Sequence, residues 1–111
     1  MWFKSDSVLG DFEQLVLFGV LRLKDEAYGA AIRQEIHNQT GRDVSINAVY
    51  TTLDRLELKG FLKSWTGDPT PNRGGRRRKF YAMKPAGMQA LRQAYRVVSA
   101  MADGFEQDLG K

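Results

Sequence analysis

Several residue types on which catalytic and metal sites depend are scarce or absent. The chain has no cysteine and one histidine among its 111 residues. It can therefore form no disulfide, no thiolate metal site and no cysteine nucleophile. The histidine, His37, has no serine partner or carboxylate pair nearby in sequence, and the acidic residues show no metal-ligand spacing. With no glycine-rich phosphate loop either, we expect neither an enzyme nor a cofactor.

Long apolar runs are also missing. The longest runs, such as 15–18, span only a few residues, whereas a membrane helix needs about 20. Residues 1–6 lack a basic region followed by an apolar run, so we expect no secretory signal. The chain is 42% hydrophobic and 27% charged, which is typical of folded globular proteins. We expect a cytoplasmic protein that does not associate with a membrane.

Periodic apolar residues predict the order of elements. Helical spacing predicts helices over about 11–24 and 27–39, the second ending at Gly41, and a third that begins after Ser45 and ends at Gly60. Ser45 is expected to cap the third helix. Alternation then predicts strands over 61–66 and 78–83, separated by a loop rich in proline and glycine. In the second strand, Phe80 and Ala82 are expected on the face opposite Tyr81.

A final helix is predicted from Pro85 to about Leu109, because proline suits a first helical turn. Such a helix would be about 37 Å long at 1.5 Å per residue, more than one small domain covers. Its apolar stripe has the spacing of a helix that packs against another helix. The predicted dimer interface consists of Met88, Leu91, Tyr95, Val98, Ala102, Phe105 and Leu109. Trp2 and Phe3 are further candidates for it; the alternative is that the first three residues of the stripe close the monomer core.

The order of three helices, a two-stranded hairpin and a long C-terminal helix predicts a mainly α (α+β) fold, the winged helix-turn-helix. We expect the DNA-binding domain over residues 8–84 and the dimerisation helix over 85–109. In this fold the third helix enters the major groove of DNA.

A basic cluster supports this interpretation. Five of the 17 lysines and arginines lie between Arg73 and Lys79, at the tip of the predicted hairpin, and the net charge is +4. Such a tip suits contact with phosphates, above all through Arg76 and Arg77. The outward positions of the third helix are predicted to be Asn47, Ala48, Thr51, Thr52 and Arg55, with Tyr50 at the edge of the core or on a phosphate. Asparagine and arginine can form paired hydrogen bonds with base edges.

Each feature alone is also typical of a solvated surface, and only their combination favours double-stranded DNA. The alternative is a winged helix that binds RNA or another protein. The small polar residues of the third helix favour DNA, because duplex RNA hides its major groove from side chains.

The chain resembles PadR-type regulators from Leu9 to about Leu91. The resemblance rests on the segments 9–17, 28–29, 45–57, 60–62, 74–81 and 85–87. It implies a homodimeric winged-helix regulator, usually a repressor, that reads a two-fold symmetric operator through the third helix and the wing. Carried over by position, the DNA contacts are Ser45, Asn47, Tyr50, Thr51 and Arg55 on the helix and Arg73, Arg76, Arg77 and Lys79 on the wing.

The resemblance also implies a candidate effector, since some members respond to phenolic acids or other aromatic compounds near the dimer interface. Two positions depart from the pattern. Lys84 stands before Pro85 where a serine or threonine cap is common, and the last helix has no tryptophan for a flat stacking site.

Overall fold

The computed structural model of the protein describes residues 8–67 and 78–110. A 3₁₀ turn, Lys24–Glu26, joins the first two helices. The described elements are α1 (Asp11–Leu23), α2 (Gly29–Thr40), α3 (Ile46–Leu58), β1 (Leu62–Thr66), β2 (Lys79–Met83), α4 (Pro85–Ala102) and α5 (Glu106–Leu109). The predicted order of three helices, a hairpin and a C-terminal helix is confirmed.

The helix ends follow from local chemistry. The Ser45 hydroxyl accepts a hydrogen bond from the Ala48 N–H at 3.0 Å, so Ser45 caps α3 as predicted. Gly41 ends α2 with φ of +76°, a left-handed conformation that glycine adopts without a steric penalty. Gly60 follows α3 in the same conformation, with φ of +83°.

The hairpin is antiparallel, with Trp65 opposite Phe80. Tyr81 faces the core, and its neighbours Phe80 and Ala82 are less buried, in agreement with the predicted alternation. Burial, together with the charges of nearby carboxylates, raises the pKa of Tyr81 to about 12, so its phenol stays neutral. Its N–H donates to the carbonyl of Ala27 at 2.8 Å, and Tyr28 forms an isolated bridge with Phe80. The segment before α2 is thereby attached to the open edge of β2.

One core joins α1, α2, α3 and the sheet. Its buried apolar residues are Leu9, Val16, Leu17, Val20, Ala27, Ile32, Ile36, Val49, Leu53, Leu56, Leu62, Tyr81 and Leu91. This core holds α3 in place by its inner face and leaves the opposite face in solvent.

The start of α4 is pressed against the turn before β1. A Cβ built on Gly87 would collide with the carbonyl oxygen of Phe61 and lie 2.8 Å from the sulfur of Met83. Leu91, one turn further, is only 3% exposed and belongs to the monomer core. Its assignment to the dimer interface was therefore wrong, because the first turns of α4 are covered by the domain itself.

The prediction of one continuous helix to Leu109 is also wrong. α4 ends at Ala102, and Gly104 has φ of +91°. Glycine is a poor helix residue, costing about 1 kcal/mol relative to alanine. The Glu106 carboxylate accepts from the Gly104 N–H at 3.1 Å and stabilises the turn. Phe105 is the N-cap of α5, so Phe105 and Leu109 do not continue the α4 stripe along a straight axis.

Within the ranges 8–67 and 78–110, no helix is both long and apolar enough to cross a membrane.

Candidate nucleic-acid interface

The outer face of α3 is the helical surface predicted to contact DNA. Asn47, Tyr50, Thr51 and Arg55 are exposed on it. Asparagine and arginine here can reach base edges, and threonine can offer a hydroxyl or a methyl group.

Three other predicted contact residues of α3 have different environments. Thr52 is only 4% exposed, so its placement on the outer face is wrong. It is buried because it lies one helical turn from both Val49 and Leu56, on the core side of the helix. Ala48 is half-buried. Ser45 is exposed, but its hydroxyl already accepts the hydrogen bond from the Ala48 N–H that caps α3.

Two further exposed residues of α3 were not singled out from the sequence. Asp54 carries a charge that phosphates repel, and Leu58 is 89% exposed. The signal for Leu58 was available, because it lies off the stripe formed by Val49, Leu53 and Leu56.

A buried carboxylate holds the C-terminal end of α3 against α1. Glu13 Oε2 lies 3.0 Å from Lys59 Nζ and 3.7 Å from Arg55 Nη1, and Oε1 accepts from the Gly10 N–H at 2.9 Å. Burial raises the pKa of Glu13, but the Gly10 hydrogen bond and the Lys59 and Arg55 charges outweigh it, so the pKa is lowered overall. The Arg55 side chain stays half-exposed and accessible to a partner.

A second carboxylate joins α3 to the sheet. Glu57 accepts a hydrogen bond from the Ser64 hydroxyl at 2.6 Å and lies 3.7 Å from Lys79 Nζ. The predicted wing residue Lys79 is thus at the wing base, on the side of α3. Arg73, Arg76 and Arg77 lie outside the described residues.

The base of the wing carries an aromatic cluster that the sequence did not reveal. The ring of Phe80 is stacked on Trp65 at 5.9 Å and meets Tyr28 edge-on at 5.8 Å. The guanidinium carbon of Arg78 lies 4.0 Å from the centroid of the Tyr28 ring. The members of this cluster come from three separate segments, which is why no local pattern could predict it.

The start of α2 also touches the outer face of α3. A Cβ on Gly29 would collide with the ring of Tyr50, so this position has no room for a side chain. Tyr50 therefore packs on α2 while 44% of it remains exposed.

A polar helix presented by two supporting helices, beside a hairpin with cations at its base, is the arrangement of a winged helix-turn-helix DNA-binding protein. The model of the PadR-like family of transcriptional regulators matches residues 17–93, more than half of the chain. The protein belongs to this family.

Solved structures agree with this assignment. A PadR family regulator from Eggerthella lenta DSM 2243 is 26% identical, over 88% of this chain and 83% of that one, with a TM-score of 0.68. A transcriptional regulator from Clostridium thermocellum is 23% identical, over 86% and 89% of the two chains, with a TM-score of 0.69. A PadR-like regulator from Bacillus cereus is 17% identical, over 90% and 92%, with a TM-score of 0.69. The last two support the fold alone, and a search of curated proteins finds no match.

Family membership establishes the class of function. The chain is a DNA-binding transcription regulator, and the family consists of regulators and not of enzymes.

Proposed function

We propose that the protein is a homodimeric repressor that acts in the cytoplasm on a two-fold symmetric operator. In this proposal α3 reads base pairs and the wing contacts the phosphate backbone. The observation that carries it is the apolar surface that α4 exposes beyond the monomer core.

This surface supports pairing of two chains. Tyr95 is 67% exposed, Val98 61% and Met101 80%. Contiguous apolar patches of this kind are typical of protein interfaces. Val97 and Met101, which the predicted stripe did not include, widen the face. A second copy of α4 has the matching apolar surface, and a two-fold axis there would present two α3 helices to half-sites about one DNA turn apart, roughly 34 Å.

The exposed chemistry of α3 supports sequence reading. Asn47 and Thr51 lie one turn apart on the exposed face, and Arg55 continues the same line. Their side chains offer both donors and acceptors, as base recognition requires.

A groove between the start of α1 and α4 supports an effector site. It has a volume of about 290 Å³, and Leu9, Ala94 and Val97 form part of its apolar wall. Two amides, Gln14 and Gln93, also line it. This size is near the lower end for small-molecule pockets, roughly 300 Å³. We propose that a small aromatic compound binds here and relieves repression, because the groove shares Val98 with the exposed face of α4.

Selection of bound duplexes from a random DNA library tests the proposal. We expect enrichment of a motif with two-fold symmetry, and a sedimentation mass of two chains both alone and on DNA. Duplex RNA of the same sequence should bind weakly. Enrichment of an asymmetric motif by a single chain would refute the dimeric reader, and equal binding to RNA would favour the RNA-binding alternative.

The contribution of α3 to sequence choice is tested by Asn47→Ala. We expect a loss of about 1–3 kcal/mol on the selected operator, because a bidentate contact with a base is removed, and little change on random DNA. Asn38→Ala, in an exposed asparagine of α2, is the matched control and should bind like the wild type. An equal loss on operator and random DNA would contradict base reading by Asn47.

A further inference from the structure

Arg78 differs from the other described cations near α3 in what it faces. Arg55 and Lys59 face the carboxylate of Glu13, and Lys79 faces both Glu57 and, at 5.6 Å, the ring of Tyr81. The guanidinium of Arg78 instead lies over the ring of Tyr28, 4.0 Å from its centroid. An aromatic face attracts a cation without cancelling its charge. Arg78 is therefore held in place while its charge stays available to an anion.

The ring of Tyr28 is itself fixed by the base of the wing. It meets Phe80 edge-on at 5.8 Å, with an angle of 83° between the ring planes. Phe80 is stacked on Trp65, and the backbone of Tyr28 is bridged to Phe80. Offset and edge-on aromatic pairs are favourable, directional contacts.

A hydrogen bond joins the two residues that flank the wing, Gly67 and Arg78, next to this cluster. The N–H of Gly67 donates to the carbonyl of Arg78 at 2.7 Å. A Cβ on Gly67 would be 2.6 Å from the Phe80 ring, so only glycine fits there without a shift. The backbone of Arg78 is thus restrained as well as its side chain.

Tyr28 also connects the wing base to the surface of α3. The next residue, Gly29, is the one on which Tyr50 of α3 packs. Tyr28, whose ring lies under the Arg78 guanidinium, is therefore bonded directly to a residue in contact with Tyr50 on the exposed face of α3. The Arg78 stack is in this way attached to the helix for which we propose DNA contact.

We propose that Tyr28 is a positioning residue that holds Arg78 for contact with a phosphate of the bound DNA. The inference rests on the proposed function, because it assumes that α3 and the wing bind duplex DNA together. A guanidinium that is already oriented loses less side-chain freedom on binding than one that is free in solution. The ring thus contributes to affinity for any sequence without touching the DNA itself.

The test uses the full-length protein, with Arg78→Ala, Tyr28→Leu, Tyr28→Phe and the double variant Tyr28→Leu/Arg78→Ala. Fluorescence anisotropy measures affinity for a random-sequence duplex between about 50 and about 200 mM salt. We expect Arg78→Ala to lower the slope of log affinity against log salt by about 0.9, the value for one phosphate contact. The ratio of wild-type to variant affinity would then shrink about 3.5-fold over that range.

Coupling between the two residues identifies the role of the ring. We expect Tyr28→Leu to cause part of the loss seen with Arg78→Ala, because the charge remains but is no longer held, and to cause no further loss in the double variant. Tyr28→Phe keeps the ring and should bind like the wild type. Arg96→Ala, in an exposed arginine on the polar side of α4, is the matched control and should leave the slope unchanged. Additive losses in the double variant would overturn the positioning role.

A second substitution, Arg78→Lys, tests the same role if Tyr28→Leu does not fold. Arg78→Lys keeps the charge but loses the planar stack on the ring. We expect its affinity to lie between those of the wild type and Arg78→Ala, whereas wild-type affinity would overturn the role of Tyr28.

The wild-type protein shows whether a negative result concerns the proposed function or only the roles of Tyr28 and Arg78. If it binds DNA with a steep salt dependence while Arg78→Ala behaves like Arg96→Ala, the inference about Tyr28 and Arg78 is wrong and the proposed function stands. If the wild type binds no duplex DNA, the proposed function is overturned, and the inference with it.

Discussion

α3 and α4 are both amphipathic helices, but the protein covers their apolar faces to different extents. The inner face of α3, formed by Val49, Leu53 and Leu56, is completely buried. On α4 the core takes up Leu91, while Val98 and Met101 remain largely exposed. The periodicity of apolar residues therefore indicates that a helix has a face to cover, but it does not tell whether the same chain or another one covers it.

The physical difference lies in how the two helices are anchored. Two contacts hold α3 near its C-terminal end. Glu13 of α1 accepts a hydrogen bond from Lys59, and Glu57 of α3 accepts one from Ser64 of β1. Within the described residues, α4 packs on the domain through its first half, where Gly87 lies against Phe61 and Leu91 and Ala94 lie against the core. The outer face of α3 is thus positioned by the monomer, whereas the second half of α4 has apolar surface left for a partner.

The largest expected effect comes from the covered face of α3. Leu53→Ala should lower the free energy of unfolding by about 2–5 kcal/mol, because it leaves a cavity in a fully buried site. Leu58→Ala, in the same helix but 89% exposed, is the matched control and should have little effect on stability. Urea unfolding followed by circular dichroism measures both. Equal effects of the two variants would contradict the assignment of inner and outer faces.

The next largest effect tests whether the exposed apolar face of α4 is the dimer interface. Val98→Asp should separate the two chains, because it places a charge within the proposed apolar interface. A separated chain binds the operator through one α3 instead of two linked ones, so affinity should fall by about 100-fold or more. Sedimentation and anisotropy titration measure the two quantities.

The control for this substitution uses the opposite side of the same helix. Ala100→Asp introduces the same carboxylate at an exposed position off the apolar face and should leave mass and affinity unchanged. If Val98→Asp behaved in the same way, the exposed face of α4 would not be the dimer interface.

The smallest expected effect concerns the anchor between α1 and α3. Glu13→Gln should lower the free energy of unfolding by about 1–3 kcal/mol at neutral pH, because it removes a largely buried charge that Lys59 and Arg55 face. Asp11→Asn, which removes an exposed partner of Arg42, is the matched control and should have a smaller effect.

The Glu13 contribution should also depend on pH. The pKa of Glu13 is lower in the folded state than its ordinary value of 4.5, so its stabilisation is present above that value. It should disappear as the pH falls below 4.5 and through the lowered pKa. The difference between wild type and Glu13→Gln in urea unfolding should therefore shrink in acid, and a constant difference down to pH 3 would contradict the role of the carboxylate.

Local signals predicted much of the fold. The cap at Ser45, the stop at Gly41 and the alternation around Tyr81 depend on neighbours within a few residues, and the structure confirms all three. Two errors have different causes. Thr52 lies one helical turn from Val49 and Leu56, so helical spacing already placed it on the core side of α3. Leu91 was assigned to the dimer interface, but it is buried in the core of its own domain.

The candidate site divides in the same way. Asn47, Thr51 and Arg55 were predictable, because a helical face repeats every three or four residues and its polar side can be read directly. The stack of Arg78 on Tyr28 was not, since 50 residues of chain separate the two positions. The ion pair between Glu13 and Lys59 spans a comparable separation.

The sequence by itself determined the order of the elements, the ends of α2 and α3 and the polar character of the outer face of α3. These properties depend on backbone preferences and on side chains close together along the chain. Only the tertiary structure decided that the first turns of α4 belong to the monomer core and that Arg78 is held by an aromatic ring. Those outcomes arise from packing between segments far apart in sequence, where the available space and the neighbouring charges are set by the whole fold.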